Sequence, residues 1–334
     1  SQWLFLRPDA EDLVYAFALL TLAFGFHSYA YSYYRGLRDM LAANRLDIVN
    51  SAIVPLVALA AASASGLSMM IATMAILMIA STALQSASLK RDVASVVKQR
   101  RADAGAIRSV LSYGVPRIPG DLALAGLLFG SAYLSARRAG MLEAGYFGVA
   151  QTLLMLPGAA LAALSVVLLP YVSERLAAGD RSAVHANAAK LFHAIADCAT
   201  YFSLHVSISA AVLLNVWLGN EMTGATRIVC IIMVSEPFYS LYFVFRSVID
   251  AATSRPITTI NLVLSLACFA FAQWALTTLG LDAATAIAWA FSFAFIVLGV
   301  LTVAGVAVYV GINGLFDIHT VWMLGTNSAI AVGL

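Results

Sequence analysis

Charge is what this sequence has least of. Only 11% of its 334 residues are Asp, Glu, Lys or Arg, against roughly 25% in an ordinary soluble domain. That is too little polar side chain to cover a globule in water. With a net charge of +2, a general electrostatic grip on nucleic acid is not expected either. Cysteine is scarce: Cys198, Cys230 and Cys268 stand alone inside apolar runs, without disulfide, redox or metal-ligand spacing, and read as small core residues. No Gly-rich Walker sequence is present, so no nucleotide site is indicated. The loops carry no His-Asp, Cys-His or paired-carboxylate spacing of the kind an enzyme needs. Neither a catalytic role nor a cofactor or metal is expected.

What is abundant is apolar length. The chain is 62% hydrophobic, with mean hydropathy +0.89, and stretches of ~20 apolar residues match a hydrocarbon core ~30 Å thick. They fall near 13–34, 46–63, 67–88, 112–134, 147–169, 195–217, 228–248, 257–279 and 284–308, with a further run opening at Thr320. The run 46–88 is too long for one crossing, and Ser63-Ala64-Ser65-Gly66 divides it. Barrel strands would alternate apolar and polar residues over ~10 positions, and these do not. The expected fold is all-α: a polytopic helical bundle of nine complete spans and part of a tenth. The opening at Ser1 and the ending at Leu334 within an apolar run make that number a lower bound and suggest a fragment.

Basic residues set the expected orientation. One set of alternate loops holds fourteen Lys and Arg, among them Arg35, Arg38, Arg45, six residues between Lys90 and Arg108, Arg175, Arg181, Lys190, Arg246 and Arg255. The other set holds four: Arg7, Arg137, Arg138 and Arg227. The first set is assigned to the cytoplasm, although the loop 309–319 belongs to it and has no basic residue. Domains are expected at 1–88 (three spans), 89–111 (a basic cytoplasmic linker), 112–308 (six spans) and 309–334 (the start of another span). Within 173–193, Leu176, Val184 and Leu191 recur at helical spacing, which predicts a helix lying on the cytoplasmic face.

A constant offset of 211 superposes Tyr31 on Tyr242, Arg35 on Arg246, Asp39 on Asp250 and Asn50 on Asn261. Six spans separate the copies, so both run the same way through the membrane, as in parallel repeats that place two lobes around a central cavity. Aromatic belts and inside arginines at any span end would give part of the same pattern.

Three segments carry a family resemblance. They are Ser112-Tyr-Gly-Val-Pro-Arg-Ile-Pro-Gly-Asp121, Ala139-Gly-Met-Leu-Glu-Ala-Gly-Tyr-Phe-Gly148 and Leu168-Leu-Pro-Tyr-Val-Ser-Glu-Arg-Leu176. In this order they resemble the start of the second half of Wzx-type polysaccharide (O-antigen) flippases, in the multidrug/oligosaccharidyl-lipid/polysaccharide exporter superfamily. The first span here would correspond to the family's fourth. The resemblance implies 12–14 helices in two lobes around a central cavity. It implies alternating-access movement of an isoprenoid diphosphate-linked oligosaccharide across the inner membrane during polysaccharide biosynthesis. Membrane lipids, a polysaccharide polymerase and chain-length machinery would be its partners.

Ionisable groups within spans are costly, ~2.5–3.5 kcal/mol at the bilayer centre, and so are candidate sites. Arg117 and Asp121 are four apart and expected to pair on one helix face, near mid-membrane, where Pro116, Pro119 and Gly120 interrupt the helix. Arg117 is either a diphosphate-binding cation on the cavity wall or a snorkelling Arg neutralised by Asp121; Gln151 is grouped with them. Glu236 precedes Pro237, a kink site. It reads as a carrier of a coupling cation or proton, or as a neutral hydrogen-bonded core acid. His27 and His205 read as relays or as satisfied core histidines. Gln151, Gln273 and Asn261 are expected to bond across helices. Arg35, Asp39, Arg246 and Asp250 are read as anchors or inner-gate ion pairs. Rival readings are a cation-coupled multidrug exporter and, from another class, a membrane-embedded glycan polymerase or acyltransferase.

Overall fold

A computed structural model describes residues 11–37, 39–62, 66–87 and 104–311. The expected tenth span from Thr320, the linker residues 89–103, Arg7 and Arg38 lie outside the described residues. All regular elements among the described residues are helices. Eight are long and apolar enough to cross a membrane, and a bent pair makes a ninth span. The protein is a multi-pass membrane protein of the all-α class. Its outward-facing side chains fit that solvent: α1 (Glu11–Gly36) exposes Tyr15, Leu22, Phe26 and Tyr29 while burying Ala16, Ala23 and Ala30.

The chain divides into two compact units, Ser1–Ile107 and Arg108–Leu334, with the boundary inside the expected linker. In the first, α1 is followed by α2 (Met40–Ile48), a π turn at Val49–Ile53, α3 (Val54–Ala62) and α4 (Leu67–Ser86). Asp39 caps α2 by accepting from the Ala42 amide at 3.0 Å, which supplies a partner for an orphan N–H of the first turn. Ala23, Val54, Ala75 and Met78 form the apolar centre of this three-span unit.

In the second unit one span is assembled from short pieces: α5 (Ala104–Gly114), a 3-10 turn at Val115–Arg117, α6 (Ile118–Ala125), a π turn at Gly126–Gly130 and α7 (Ser131–Arg138). Pro116 and Pro119 tighten its entry. Two very long helices follow, α8 (Met141–Ala177, 37 residues) and α9 (Arg181–Leu218, 38 residues). At ~1.5 Å per residue each is roughly 56 Å long, nearly twice the hydrocarbon thickness.

These two helices correct the expectation of a surface helix over 173–193. The segment holds the ends of α8 and α9, joined at Gly179, whose φ of 76° suits glycine. Leu176 and Leu191 pack with the buried Val172, Val184, Ala188 and Phe192 inside this hairpin. Asp180 starts α9. The Ala183 amide, then the Ser182 hydroxyl and Arg175, hold its carboxyl below the usual aspartate value.

The bundle is completed by a 3-10 turn at Asn220–Ala225, α10 (Thr226–Met233), α11 (Glu236–Ala252), α12 (Ile257–Thr278) and α13 (Ala283–Val310). Close packing of α13 on α11 depends on Gly299: a Cβ there would sit 2.6 Å from Phe238 Cβ and 2.8 Å from its Cα. Small residues that let backbones approach are the usual means of helix association in lipid.

Candidate functional site

The seventh span in chain order is bent by 52° between Met233 and Glu236, and the cause is local chemistry. Pro237 has no N–H, so the carbonyl of Met233, four residues back, loses its helical donor. Two residues earlier the Ser235 amide bonds Ile232 O at 3.0 Å in a 3-10 pattern, which releases Ile231 O as well. Both carbonyls are satisfied by neighbouring helices. Ser203 Oγ on α9 donates to Met233 O at 2.5 Å, and Ser292 Oγ on α13 donates to Ile231 O at 2.7 Å. Freed backbone groups within a membrane must be met by such side chains or by a wet cavity.

Glu236 sits at this break, sixteen residues from Asn220 and sixteen from Ala252, the two ends of the bent span. It is fully buried. Ser240 Oγ donates to its Oε1 at 2.5 Å, and Oε2 has no hydrogen-bond partner among the described residues. None of their ion pairs includes it. An isolated carboxylate in such a place costs many kcal/mol. His205 is not brought to it. That ring is exposed on α9, tilted against Tyr201 with centroids 3.9 Å apart, on the face opposite the buried Thr200, Ser203 and Ser207.

Arg117 does not pair with Asp121. Helical side chains lean toward the N-terminus, and Arg117 leans back. It donates to Tyr113 O at 2.7 Å, lies 3.5 Å from the Tyr113 ring centroid and reaches across to Asp250 Oδ1 at 3.5 Å. Asp121 is exposed. Arg117 lies within the candidate span Ile107–Arg138, and Asp250 lies two residues before the end of α11. Arg117 Nε is buried without a hydrogen-bond partner among the described residues. Gln151 is a brace: its Nε2 donates to Leu128 O at 2.9 Å, within the π turn. Gln273 bonds Thr277 on its own helix at 3.1 Å rather than across helices, and Asn261 Nδ2 has no partner among the described residues.

The repeated signature has a repeated local geometry. Arg35 lies 5.6 Å from the Tyr31 ring and Arg246 5.8 Å from the Tyr242 ring, and Asn50 and Asn261 are both buried. The aspartates diverge, since Asp39 caps a helix while Asp250 takes Arg117 and Thr258 as neighbours. Within 4.0 Å the ion-pair partner of Asp250 is Arg117 and not Arg246. No cluster of three or more metal-ligating side chains occurs among the described residues.

Sequence reasoning missed a second polar centre, in the first unit. His27 Nδ1 is 2.9 Å from Asn50 Nδ2, and the same nitrogen donates to Thr82 Oγ1 at 2.9 Å. Ser81 Oγ donates to Asn50 Oδ1. His27 Nε2 is 3.5 Å from Asp47 Oδ1. The only sequence signal was a histidine, an asparagine and a Ser-Thr pair on three successive apolar spans.

An apolar cleft of about 520 Å³ lies between α8 and α9, lined by Leu156, Leu164, Leu191 and Phe202 with Ser240 among its walls. Arg117, Asp121 and Gln151 are not part of it.

Fold and sites together define a multi-pass α-helical membrane protein with an interrupted span and polar centres buried in its helix bundles. No family model, no curated protein and no solved structure matches the chain at a significant level.

Proposed function

We propose that the protein is a flippase that moves an isoprenoid diphosphate-linked oligosaccharide across the cytoplasmic membrane by alternating access, in the manner of the polysaccharide flippases that residues 112–176 resemble. The observation that carries the reading is the interrupted span at Ser235–Pro237. Half-helices meeting near the bilayer centre, with an ionisable side chain at the join, are a recurring feature of transporters. A passive helical scaffold gains nothing from a fully buried, half-satisfied carboxyl such as Glu236, since intramembrane ionisable groups are expensive. Energetics favour the direction. With the inside negative, outward movement of an anion is downhill by ~2.3 kcal/mol per charge per 100 mV, so a diphosphate head is assisted without nucleotide hydrolysis.

Cation-coupled export of an amphiphilic drug is the second reading, and Glu236 is the observation that favours it. Reconstitution separates the two. Full-length protein in liposomes loaded on one leaflet with labelled isoprenoid diphosphate oligosaccharide is expected to deliver label to the other leaflet. Delivery no faster than in empty liposomes, with drug efflux instead, would replace the first reading by the second.

A further inference from the structure

We propose that His27, Asn50, Ser81 and Thr82 form a proton-binding site within the first three-span unit, in which proton uptake by His27 is coupled to a half-turn of the Asn50 amide.

The site is assembled by all three spans of the unit. His27 comes from α1, Asn50 from the π turn, and Ser81 and Thr82 from α4. His27, Asn50 and Thr82 are buried to 8%, 1% and 3% residual exposure. π turns widen a helix by one residue and are frequent at functional sites; this one turns Asn50 inward against both neighbours.

The Asn50 amide orientation defines one setting of the network. Asn50 Nδ2 has two hydrogens, and its two neighbours are Thr82 Oγ1 and His27 Nδ1, each at 2.9 Å. Nδ1 therefore accepts, and the neutral ring carries its hydrogen on Nε2, facing Asp47 Oδ1 at 3.5 Å. Asn50 Oδ1 is taken by the Ser81 hydroxyl. A second proton on the ring would place Nδ1–H against the amide hydrogens, an arrangement without an acceptor.

Rotating the Asn50 amide by half a turn resolves the conflict without moving any other heavy atom. Oδ1 then accepts from Nδ1–H and from the Thr82 hydroxyl. Nδ2 then donates to Ser81 Oγ, whose own hydrogen is free to go to Met78 O, already 3.0 Å away. The flipped setting leaves one hydrogen of Nδ2 without an acceptor among these groups, so the first setting is the better paired one until a proton on Nδ1 blocks it; the network therefore has two discrete settings selected by one proton, taken from water and returned to it. The imidazolium faces Asp47 across Nε2, and Ser51 Oγ donates to that carboxylate at 3.0 Å. Among the described residues, the other ionisable groups around the site are Tyr31, stacked on His27 with centroids 6.0 Å apart, Arg35 beyond Tyr31, and Arg45 on α2. α4 contributes none, since Leu67–Ser86 has no ionisable residue.

The assignment of this proton as the one that drives transport rests on the proposed function; the two-setting site does not. Full-length protein in nanodiscs, labelled with 15N in histidine rings and asparagine side chains, tests the site. On acidification the Asn50 amide signal is expected to shift together with the His27 ring signals. The shift is absent in His27→Gln. In Asn50→Asp, whose carboxylate only accepts, the ring keeps both N–H groups at a pH where the parent ring has lost Nδ1–H. An Asn50 signal indifferent to the His27 titration, or a neutral ring protonated on Nδ1, overturns the site.

Proteoliposomes test the role. Substrate-driven proton movement is expected in the parent and lost in His27→Gln. Glycan flipping with undiminished proton movement in that variant overturns the coupling role and leaves the flippase reading standing. An intact amide response with no glycan flipping leaves the site standing and removes the flippase reading.

Discussion

Arg117 carries the sharpest consequence at the scale of single residues. Its guanidinium is shared among a backbone carbonyl, an aromatic face and the Asp250 carboxylate, and the ion pair, at 3.5 Å, is long for a charge-assisted hydrogen bond. A guanidinium so loosely held keeps donors to offer a phosphate. Two substitutions divide the structural role from the substrate role. If Asp250 is the purpose of Arg117, Asp250→Asn and Arg117→Ala do equal damage. If Arg117 receives the diphosphate, Asp250→Asn frees it and is tolerated. We expect the second result: glycan export at matched protein level falls at least ~10-fold in Arg117→Ala, the equivalent of ~1.4 kcal/mol, and stays within about twofold of the parent in Asp250→Asn. The expected Arg117–Asp121 pair failed for a reason that spacing alone does not contain. Four-residue spacing puts two side chains on one face, but the 3-10 turn at Val115–Arg117 and the N-terminal lean of helical side chains turn Arg117 away from Asp121.

Elements show how the break in the seventh span is maintained. Its two freed carbonyls are served by Ser203 from α9 and Ser292 from α13, both buried. Removing one hydroxyl strands a buried carbonyl at ~1–3 kcal/mol. The pair also clamps the first half-helix, α10, to α9 and α13 beside Glu236. Ser203→Ala and Ser292→Ala are each expected to lower the thermal unfolding midpoint in detergent, and the double variant to lower it by about the sum. Ser209→Ala, an exposed hydroxyl bonded only to its own helix, is expected to leave the midpoint unchanged. Glu236-Pro237 was legible in the sequence as a kink, because proline's missing N–H is a property of one residue. Ser203 and Ser292 were not legible as its partners, since they lie 30 and 61 residues from the carbonyls they serve and no local pattern connects them. The π turns at Val49–Ile53 and Gly126–Gly130 escaped for a related reason: an added residue in a helix is stabilised by side chains from other helices. Conversely, the 173–193 stretch was misread because a three-residue turn at Ala178–Asp180 leaves the apolar periodicity of the flanking helices almost unbroken.

At the scale of the whole molecule, span number was the most legible property, because ~20 apolar residues in a row is a requirement of bilayer thickness and needs no knowledge of neighbours. Nine spans expected from hydropathy in the described region correspond to eight continuous helical spans, two of them built from shorter pieces, and one bent pair. Their direction through the membrane rests on fourteen basic residues against four, and the hairpin of α8 and α9 makes that direction testable. Each helix outruns the hydrocarbon core by roughly 25 Å, and Arg175, Arg181 and Lys190 collect where the pair extends. The positive-inside rule puts this end in the cytoplasm, and the Asn220–Ala225 turn at the far end of α9 then faces outward. Replacing Cys198, Cys230 and Cys268, which form no disulfide, provides a background for single cysteines. In whole cells, Thr223→Cys is expected to react with a membrane-impermeant maleimide, and Ser182→Cys only after permeabilisation. The reverse pattern would invert every span together, because an odd or even number of crossings between the two positions is set by α9 alone. It would also make the charge bias of this sequence an exception to the rule, and would turn the proposed proton site, on the side of α1 and α2 that carries Arg35 and Arg45, toward the opposite compartment.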